Sequence, residues 1–155
     1  MELVYKKASF NDIDLLVETR LEVLRAINRL NAAVDLKFFK DQSRAYFEKA
    51  LKEDSHVAYV VFDNGQFIGS GGISFYQILP SYYNQSGMWG CIMNMYTHPA
   101  YRRRGIANHT LDMLVETAHS RNVTNITLET TQESRVLYEK YGFRDLDNEM
   151  QLVER

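Results

Sequence analysis

Three consecutive arginines precede a glycine in residues 101–107, YRRRGIA, just before a segment whose apolar residues recur at helical spacing. Gly105 has no side chain, so a ligand can come close to the backbone there. The first N–H groups of a helix have no partner within the helix and lie at the positive end of its dipole, which favours phosphate. Arg102, Arg103 and Arg104 add positive charge at the same place. The stretch favours a diphosphate loop, although an arginine run alone is also typical of a solvated surface.

Two better-known phosphate loops are absent from the sequence. A dinucleotide fingerprint requires G-x-G-x-x-G and a nucleoside triphosphate loop requires G-x-x-x-x-G-K-[ST], and neither occurs. A second motif lies about 30 residues downstream, where Leu137-Tyr138 is followed after three residues by Gly142-Phe143. The pair of motifs is more specific than either motif alone.

In this order, R-x-x-G-x-A and L-Y-x-x-x-G-F resemble the paired motifs of the GNAT superfamily of acyl-CoA-dependent N-acyltransferases. In that family the first motif opens the helix that receives the CoA pyrophosphate, and the second closes the cofactor site. The resemblance extends to the amino-terminal strand, the paired helices, the hairpin and the stretch MNMYTHPAYRRRGIA, so it spans nearly the whole chain.

The hydrophobic pattern predicts the elements that position these motifs. Ser9 and Asp12 resemble a capping box before a first helix, and Asn64-Gly65 predicts a hairpin. Gly142 is typical of a helix C-cap. The remaining predictions are strands at LVYKKA, MWGCIMNMYT and NITLET, a second helix at FFKDQSRAYFEKALKE, a third from about Gly105 to Arg121, a short helix in ESRVLYEKYGF, and one or two closing strands in the tail to Leu152.

This order predicts a mixed α/β (α+β) fold in one layered domain over residues 1–155. The resemblance further implies a twisted, mostly antiparallel sheet of about six to seven strands. It also implies helices on both faces of that sheet and splayed central strands.

Composition excludes several function classes. The chain has 18 Lys and Arg against 20 Asp and Glu, a net charge of -2, so no global basic field favours nucleic acid or an anionic membrane. Cys91 is the single cysteine, and no Cys/His spacing indicates a metal site. No apolar window has the length of a membrane span, so we expect a cytoplasmic protein.

The resemblance implies which residues bind acetyl-CoA. The backbone N–H groups of residues 103–107 would surround the pyrophosphate, and a splayed strand would offer the backbone of residues 95–97 to the pantetheine amides. Thr131 and Ser134 depart from the asparagine and alanine that many members carry at these positions. The carried-over residues are Met95, Tyr96, Thr97, Arg102, Arg103, Arg104, Gly105, Ile106, Ala107, Thr131, Ser134 and Tyr138.

Catalytic roles follow from the same resemblance. Tyr138 would act as general acid on the departing thiolate, with a plain core tyrosine as the alternative. A backbone N–H of Met95 or Tyr96 would stabilise the developing oxyanion. Glu129 is a candidate general base, although a solvent-facing carboxylate at a strand end is an equal alternative, and Glu22 is a candidate for orienting an amine.

These observations predict an N-acetyltransferase that moves an acetyl group from acetyl-CoA to a primary amine by direct attack in a ternary complex. The alternatives are a non-catalytic acyl-CoA-binding regulatory module and, well behind it, a nucleic-acid-binding domain. The acceptor, a small-molecule or peptide amine, stays open. Family members are often dimers, which supports the expectation of a homodimer.

Overall fold

The computed structural model describes residues 2–154. Its helices and strands follow the predicted order closely, and short 3-10 turns at Phe10–Asp12 and Pro99–Tyr101 precede α1 and α3. The elements are β1 (Leu3–Lys7), α1 (Ile13–Asn28), α2 (Lys37–Lys52), β2 (His56–Asp63), β3 (Gln66–Gln77), β4 (Met88–Thr97), α3 (Ile106–Ser120), β5 (Ile126–Leu128) and α4 (Arg135–Tyr141).

One sheet connects all five strands in the order β1-β2-β3-β4-β5. The first four strands pair antiparallel with their neighbours, and β5 is parallel to β4. Between β2 and β3 the predicted turn is present, with Asn64 at φ 48° and Gly65 at φ 82°, the two left-handed residues that a tight hairpin requires. The mixed, mostly antiparallel sheet is therefore confirmed.

Helices cover both faces of the sheet, as expected. Side chains alternate along β2, so Val57 packs with Leu111 and Leu114 of α3. Ala58, the next residue, packs with Leu16 of α1 and faces the other way. The sheet is the middle of three layers, with α1 and α2 on one side and α3 and α4 on the other.

The strand count is lower than expected because residues 144–154 contain no strand. Asp145, Asp147 and Asn148 are poor strand formers, and the ion pair from Arg135 to Asp145 ties the start of this tail to α4 instead. Further along the tail the apolar side chains lie in solvent, with Met150 100% exposed.

No helix within residues 2–154 is long and apolar enough to cross a membrane.

A polar cluster around the buried His56 joins α2 to the sheet. His56 is 3% exposed, and its Nδ1 lies 2.9 Å from the Tyr46 hydroxyl and 3.0 Å from the Ser74 hydroxyl. Tyr46 and Ser74 also hydrogen-bond to each other. Burial lowers the pKa of His56 to about 4, because the imidazolium would lose its hydration there. His56 is therefore neutral at neutral pH.

The neutral state of His56 makes stability depend on pH. An unfolded histidine titrates near its ordinary pKa of 6.5, so between that pH and about 4 the unfolded chain binds a proton that the folded chain does not. The contribution to stability is complete above pH 6.5 and is lost as the pH falls, by about 3 to 4 kcal/mol at most. We expect His56→Gln to flatten this part of the profile, measured by urea unfolding at pH 7.5, 6 and 5.

The control is His119→Gln, because His119 is exposed near the end of α3. It should leave the pH profile unchanged. Equal loss of stability on acidification in His56→Gln and in the unsubstituted protein would contradict the assignment.

Candidate functional site

The central strands separate after a short pairing. β5 pairs with β4 through three residue pairs, of which the last is Ile92 with Leu128. Beyond it β4 continues to Thr97 beside β3 alone. The expected splay is therefore present, and it leaves one edge of residues 93–97 without a strand partner within residues 2–154.

A bulge in β4 turns its donors towards this gap. Gly90 donates its N–H to Asn125 on the β5 side, whereas His98 donates to Ile68 on the β3 side, although both have even numbers. The register shifts between these points, and Asn94 has a left-handed φ of 59°. Because N–H directions alternate along a strand, an even-numbered N–H can change sides only at such an irregularity.

The bulge decides which residues offer an N–H to the gap. The carbonyl of Asn94 accepts from the Ser70 hydroxyl of β3 at 3.2 Å. The C=O and N–H of a trans peptide point in opposite directions, so the N–H of Met95 points away from β3. Thr97 shares this direction by alternation, while the N–H of Tyr96 faces β3.

The phosphate-type loop joins this strand end to α3. Arg103 at φ 61° and Gly105 at φ 79° both have left-handed backbone, and a Cβ at Gly105 would contact nothing in the protein. The first hydrogen bond of α3 runs from His109 N–H to Gly105 C=O at 3.0 Å. The N–H groups of residues 106–108 precede it and face the space in front of the helix.

The side chain of Ile106 anchors the start of α3, and only its backbone is placed to meet a ligand. It is 2% exposed and packs with Val61 and Ile68 of the sheet. Gly71 on β3 also allows α3 to pack closely on the sheet, because a Cβ at this position would lie 2.7 Å from Cγ2 of Thr110. Helix α3 is therefore held tightly against the sheet at the end that carries the loop.

The three arginines of the loop are exposed and lie around its opening. Arg102 donates from Nε to the carbonyl of Thr97 at 3.1 Å, which ties the loop to the end of β4. The guanidinium of Arg104 lies over the Tyr101 ring, 5.3 Å from its centroid. Ala107, in the first turn of α3, is small and half-buried.

Tyr138 lies inside the core cluster that α3 forms with the sheet, at 8% exposure. Its ring packs edge-on against Phe143, with centroids 6.0 Å apart. Burial raises the pKa of Tyr138, so the phenol is protonated at neutral pH. Within residues 2–154 its hydroxyl makes no hydrogen bond, which leaves it able to donate to a ligand.

A cavity of ≈ 250 Å³ also borders Tyr138, between β5, α4 and the tail. Its lining includes Thr127, Arg135 and Glu149 but no residue of β4. It therefore lies on the outer side of β5, away from the gap between the splayed strands.

Three other predicted site residues lie near the carboxyl end of β5. Thr131 and Ser134 bond to each other, with 2.8 Å between their hydroxyls, and Ser134 N–H donates to Thr131 Oγ1 at 3.3 Å. They thereby hold together the turn that precedes α4. Glu129 is exposed one residue beyond β5.

A carboxylate contact that the sequence did not show lies on the other side of the gap. Tyr96 donates its hydroxyl to Glu22 of α1 at 2.8 Å, and its ring stacks on Phe67 with 6.1 Å between centroids. Burial and the neighbouring carboxylate raise the pKa of Tyr96 to about 12. This contact joins residues 74 positions apart, so only the fold reveals it.

One further side chain at this edge, Arg20, was missed by sequence reasoning. Arg20 of α1 reaches Asn94 at the bulge, with 3.4 Å between NH1 and Oδ1. Cys91 lies earlier on β4, half-buried, and burial raises the pKa of its thiol, which agrees with a packing role. Within residues 2–154 no cluster of three His, Cys, Asp or Glu side chains could hold a metal ion.

Comparisons with known proteins agree with this geometry. The model of the acetyltransferase (GNAT) family matches residues 24–143. A predicted acetyltransferase with acetyl-CoA from Clostridium acetobutylicum is 35% identical, with a TM-score of 0.89 over 98% of this chain and 96% of that chain. Among curated proteins, none matches the sequence.

More distant solved structures share the fold. A GCN5-related N-acetyltransferase from Ralstonia eutropha is 19% identical, with a TM-score of 0.83 over 98% of this chain and 99% of that one. Glucosamine-6-phosphate N-acetyltransferase from Arabidopsis thaliana is 17% identical, with a TM-score of 0.71 over 99% of both chains. With the family model covering most of its length, the chain belongs to the GNAT family of acetyltransferases.

Proposed function

We propose that this protein transfers an acetyl group from acetyl-CoA to a primary amine, by direct attack while both substrates are bound. The observation that carries the proposal is the junction of β4 and α3, where an unpaired strand edge runs directly into the open N-terminus of a helix. An extended amide chain that ends in a diphosphate needs these two features next to each other.

The residues present fit acetyl-CoA. The arginines around Gly105 and the N–H groups of residues 106–108 match a pyrophosphate, and Thr97 offers a strand-type donor to the pantetheine amides. When bound, acetyl-CoA supplies an activated acetyl thioester. Thr131 and Ser134 already bond to each other, so their contribution would be to hold α4 in place.

Met95 is the backbone group that we assign to the developing oxyanion. Its N–H points into the gap, whereas that of Tyr96 faces β3, as their hydrogen-bonded neighbours indicate. A fixed donor costs no reorganisation when charge develops on the thioester oxygen.

Tyr138 is the proposed proton donor to the departing sulfur. Its raised pKa keeps the proton on the phenol, and its hydroxyl has no competing acceptor within residues 2–154. A thiolate with a pKa of about 8.5 can take a proton from such a donor once the two atoms are within hydrogen-bonding distance.

The acceptor amine would approach from the α1 side of β4. Glu22 and the phenol of Tyr96 form a hydrogen-bonded pair there, and Glu129 lies across the gap at the end of β5. A carboxylate in this position can bind an ammonium group and help remove its proton, directly or through water.

A cytoplasmic location, a homodimer and a single domain over residues 1–155 stay predictions of the sequence.

The first experiment measures acetyl-CoA binding by calorimetry and free thiol release with a panel of amines. Amine-dependent thiol release with formation of the N-acetyl product supports the proposal. Binding without turnover for every amine favours a non-catalytic acyl-CoA module, and no binding of acetyl-CoA overturns both.

Gly105→Ala tests the loop. Gly105 and Gly65 both have left-handed φ, at 79° and 82°, and a Cβ at either position would meet nothing within 4 Å. Each alanine should therefore cost about 1 kcal/mol of stability through backbone strain. We expect Gly105→Ala alone to weaken acetyl-CoA binding, at least 10-fold, because its methyl group points to where the backbone must approach the diphosphate.

Thermal unfolding and calorimetry on both variants make this comparison. Gly65→Ala, in the β2–β3 hairpin, is the matched control. Equal acetyl-CoA affinities for the two alanine variants would contradict a ligand at Gly105.

Tyr138→Phe tests the proton donor. It should lower kcat by about 100-fold or more, as expected for a lost general acid, and leave the dissociation constant for acetyl-CoA nearly unchanged. Stability should also change little, because no hydrogen bond is lost among residues 2–154.

The control on the same helix is Tyr141→Phe, which removes a 2.8 Å hydrogen bond to Asp112. That variant should lose about 1 kcal/mol of stability and keep its kcat. An unchanged kcat in Tyr138→Phe would make Tyr138 a core residue only.

A further inference from the structure

Arg20 is a charged side chain on the sheet-facing side of α1. The buried residues of that helix include Ile13, Leu16, Val17 and Val23, which follow the three- and four-residue spacing of one face. Arg20 lies four residues after Leu16 and three before Val23, so it belongs to the same face. Its guanidinium reaches the sheet at Asn94 instead of turning to solvent.

The guanidinium has little inside the protein to bond with. Its contact with Asn94 Oδ1 is long, at 3.4 Å, and no carboxylate lies within 4.0 Å of it among residues 2–154. By contrast, Arg29, Arg44, Arg121 and Arg135 each form an ion pair with an acidic residue. A partly buried guanidinium has five N–H donors and here one weak acceptor. Its loss of hydration costs free energy unless an anion accepts the remaining hydrogen bonds.

Burial also lowers the pKa of Arg20, which shows that the protein disfavours its charge instead of compensating it. At any working pH the guanidinium nevertheless stays protonated. It therefore presents a fixed, poorly solvated positive charge.

The Arg20 guanidinium lies beside the gap, next to groups that a substrate would meet. Asn94 is the residue of the β4 bulge, next to Met95, whose N–H points into the gap. The Glu22–Tyr96 pair lies two positions further along the same strand. A cation and a carboxylate therefore meet the same short segment of β4 from α1.

We propose that Arg20 binds an oxyanion on the acceptor, so that the preferred substrate is a primary amine that also carries a carboxylate or a phosphate. The inference rests on the proposed function and specifies its acceptor. Both anions match the planar donor fork of a guanidinium, and the ammonium group would lie towards Glu22. Polycationic amines would be disfavoured, because they would place a second positive charge near Arg20.

Matched acceptors test the charge requirement. One arm compares L-amino acids with the corresponding amino acid amides, which keep the side chain and the amine and lose the negative charge. A second arm compares amino sugar phosphates with the unphosphorylated amino sugars. The two arms distinguish a carboxylate from a phosphate.

Arg20→Gln should lower kcat/KM for the preferred anionic class by about 10- to 100-fold, as for a lost charge-assisted hydrogen bond, mainly through KM. For the neutral partner the change should stay below about 3-fold. Arg20→Lys should restore part of the selectivity. The control Arg44→Gln removes a half-buried arginine of α2 that pairs with Asp14 and should change neither class.

A second readout needs no turnover. Calorimetry on CoA-loaded protein measures binding of N-acetyl amino acids and their amides, and Arg20→Gln should lose affinity for the former only. Acetylation restricted to uncharged or polycationic amines, or equal losses for both classes in Arg20→Gln, overturns the inference and leaves the transferase function standing. Failure of the proposed function is distinct, because then acetyl-CoA does not bind or no amine of any class is acetylated.

Discussion

The site depends on the shortness of one strand pairing. β4 and β5 share three residue pairs and then separate, and the bulge at Asn94 turns the N–H of Met95 towards the opening. Continued pairing of β5 as far as Thr97 would bond these donors within the ladder. The sheet gives up regular hydrogen bonds at this edge, and it thereby keeps backbone groups that a ligand can use.

The same edge fixes the position of the helix N-terminus. Only the 3-10 turn at Pro99–Tyr101 and the arginine loop separate β4 from α3, and Arg102 bonds back to the carbonyl of Thr97. Ile106 is buried against the sheet at the start of α3. Because strand edge and helix N-terminus belong to one packed unit, the distance between their donors is set before any ligand arrives, which lowers the cost of ordering the site.

Short sequence patterns predicted the helices, strands and turns well. They did not predict contacts between residues that are distant in the sequence. The bounds of β4, the Asn64-Gly65 turn and the Gly142 cap depend on neighbouring residues, so the sequence shows them. The contacts Glu22–Tyr96 and Arg20–Asn94 depend on how α1 lies across β4, and the bulge depends on how β4 pairs with β3. No short sequence pattern encodes either. The closing strands were wrong because the tail carries Asp145, Asp147 and Asn148, which are poor strand formers, and Asp145 pairs with Arg135 of α4 instead. The roles of the loop arginines, Tyr138 and Glu129 stay predictions.

In the proposed mechanism, the two faces of β4 serve different substrates. On one face of β4, the side chain of Met95 lies beside α3. A Cβ added at Gly71 would collide with both Met95 and Thr110 of α3, so these two side chains lie close together. From the other face, α1 brings Arg20 and Glu22 to the residues on either side of Met95. An acceptor held by α1 would therefore reach the gap without crossing the loop that α3 offers to the donor. In the proposed arrangement the two routes do not overlap, so both substrates would be bound together, and direct transfer would need no residue of the protein to carry the acetyl group.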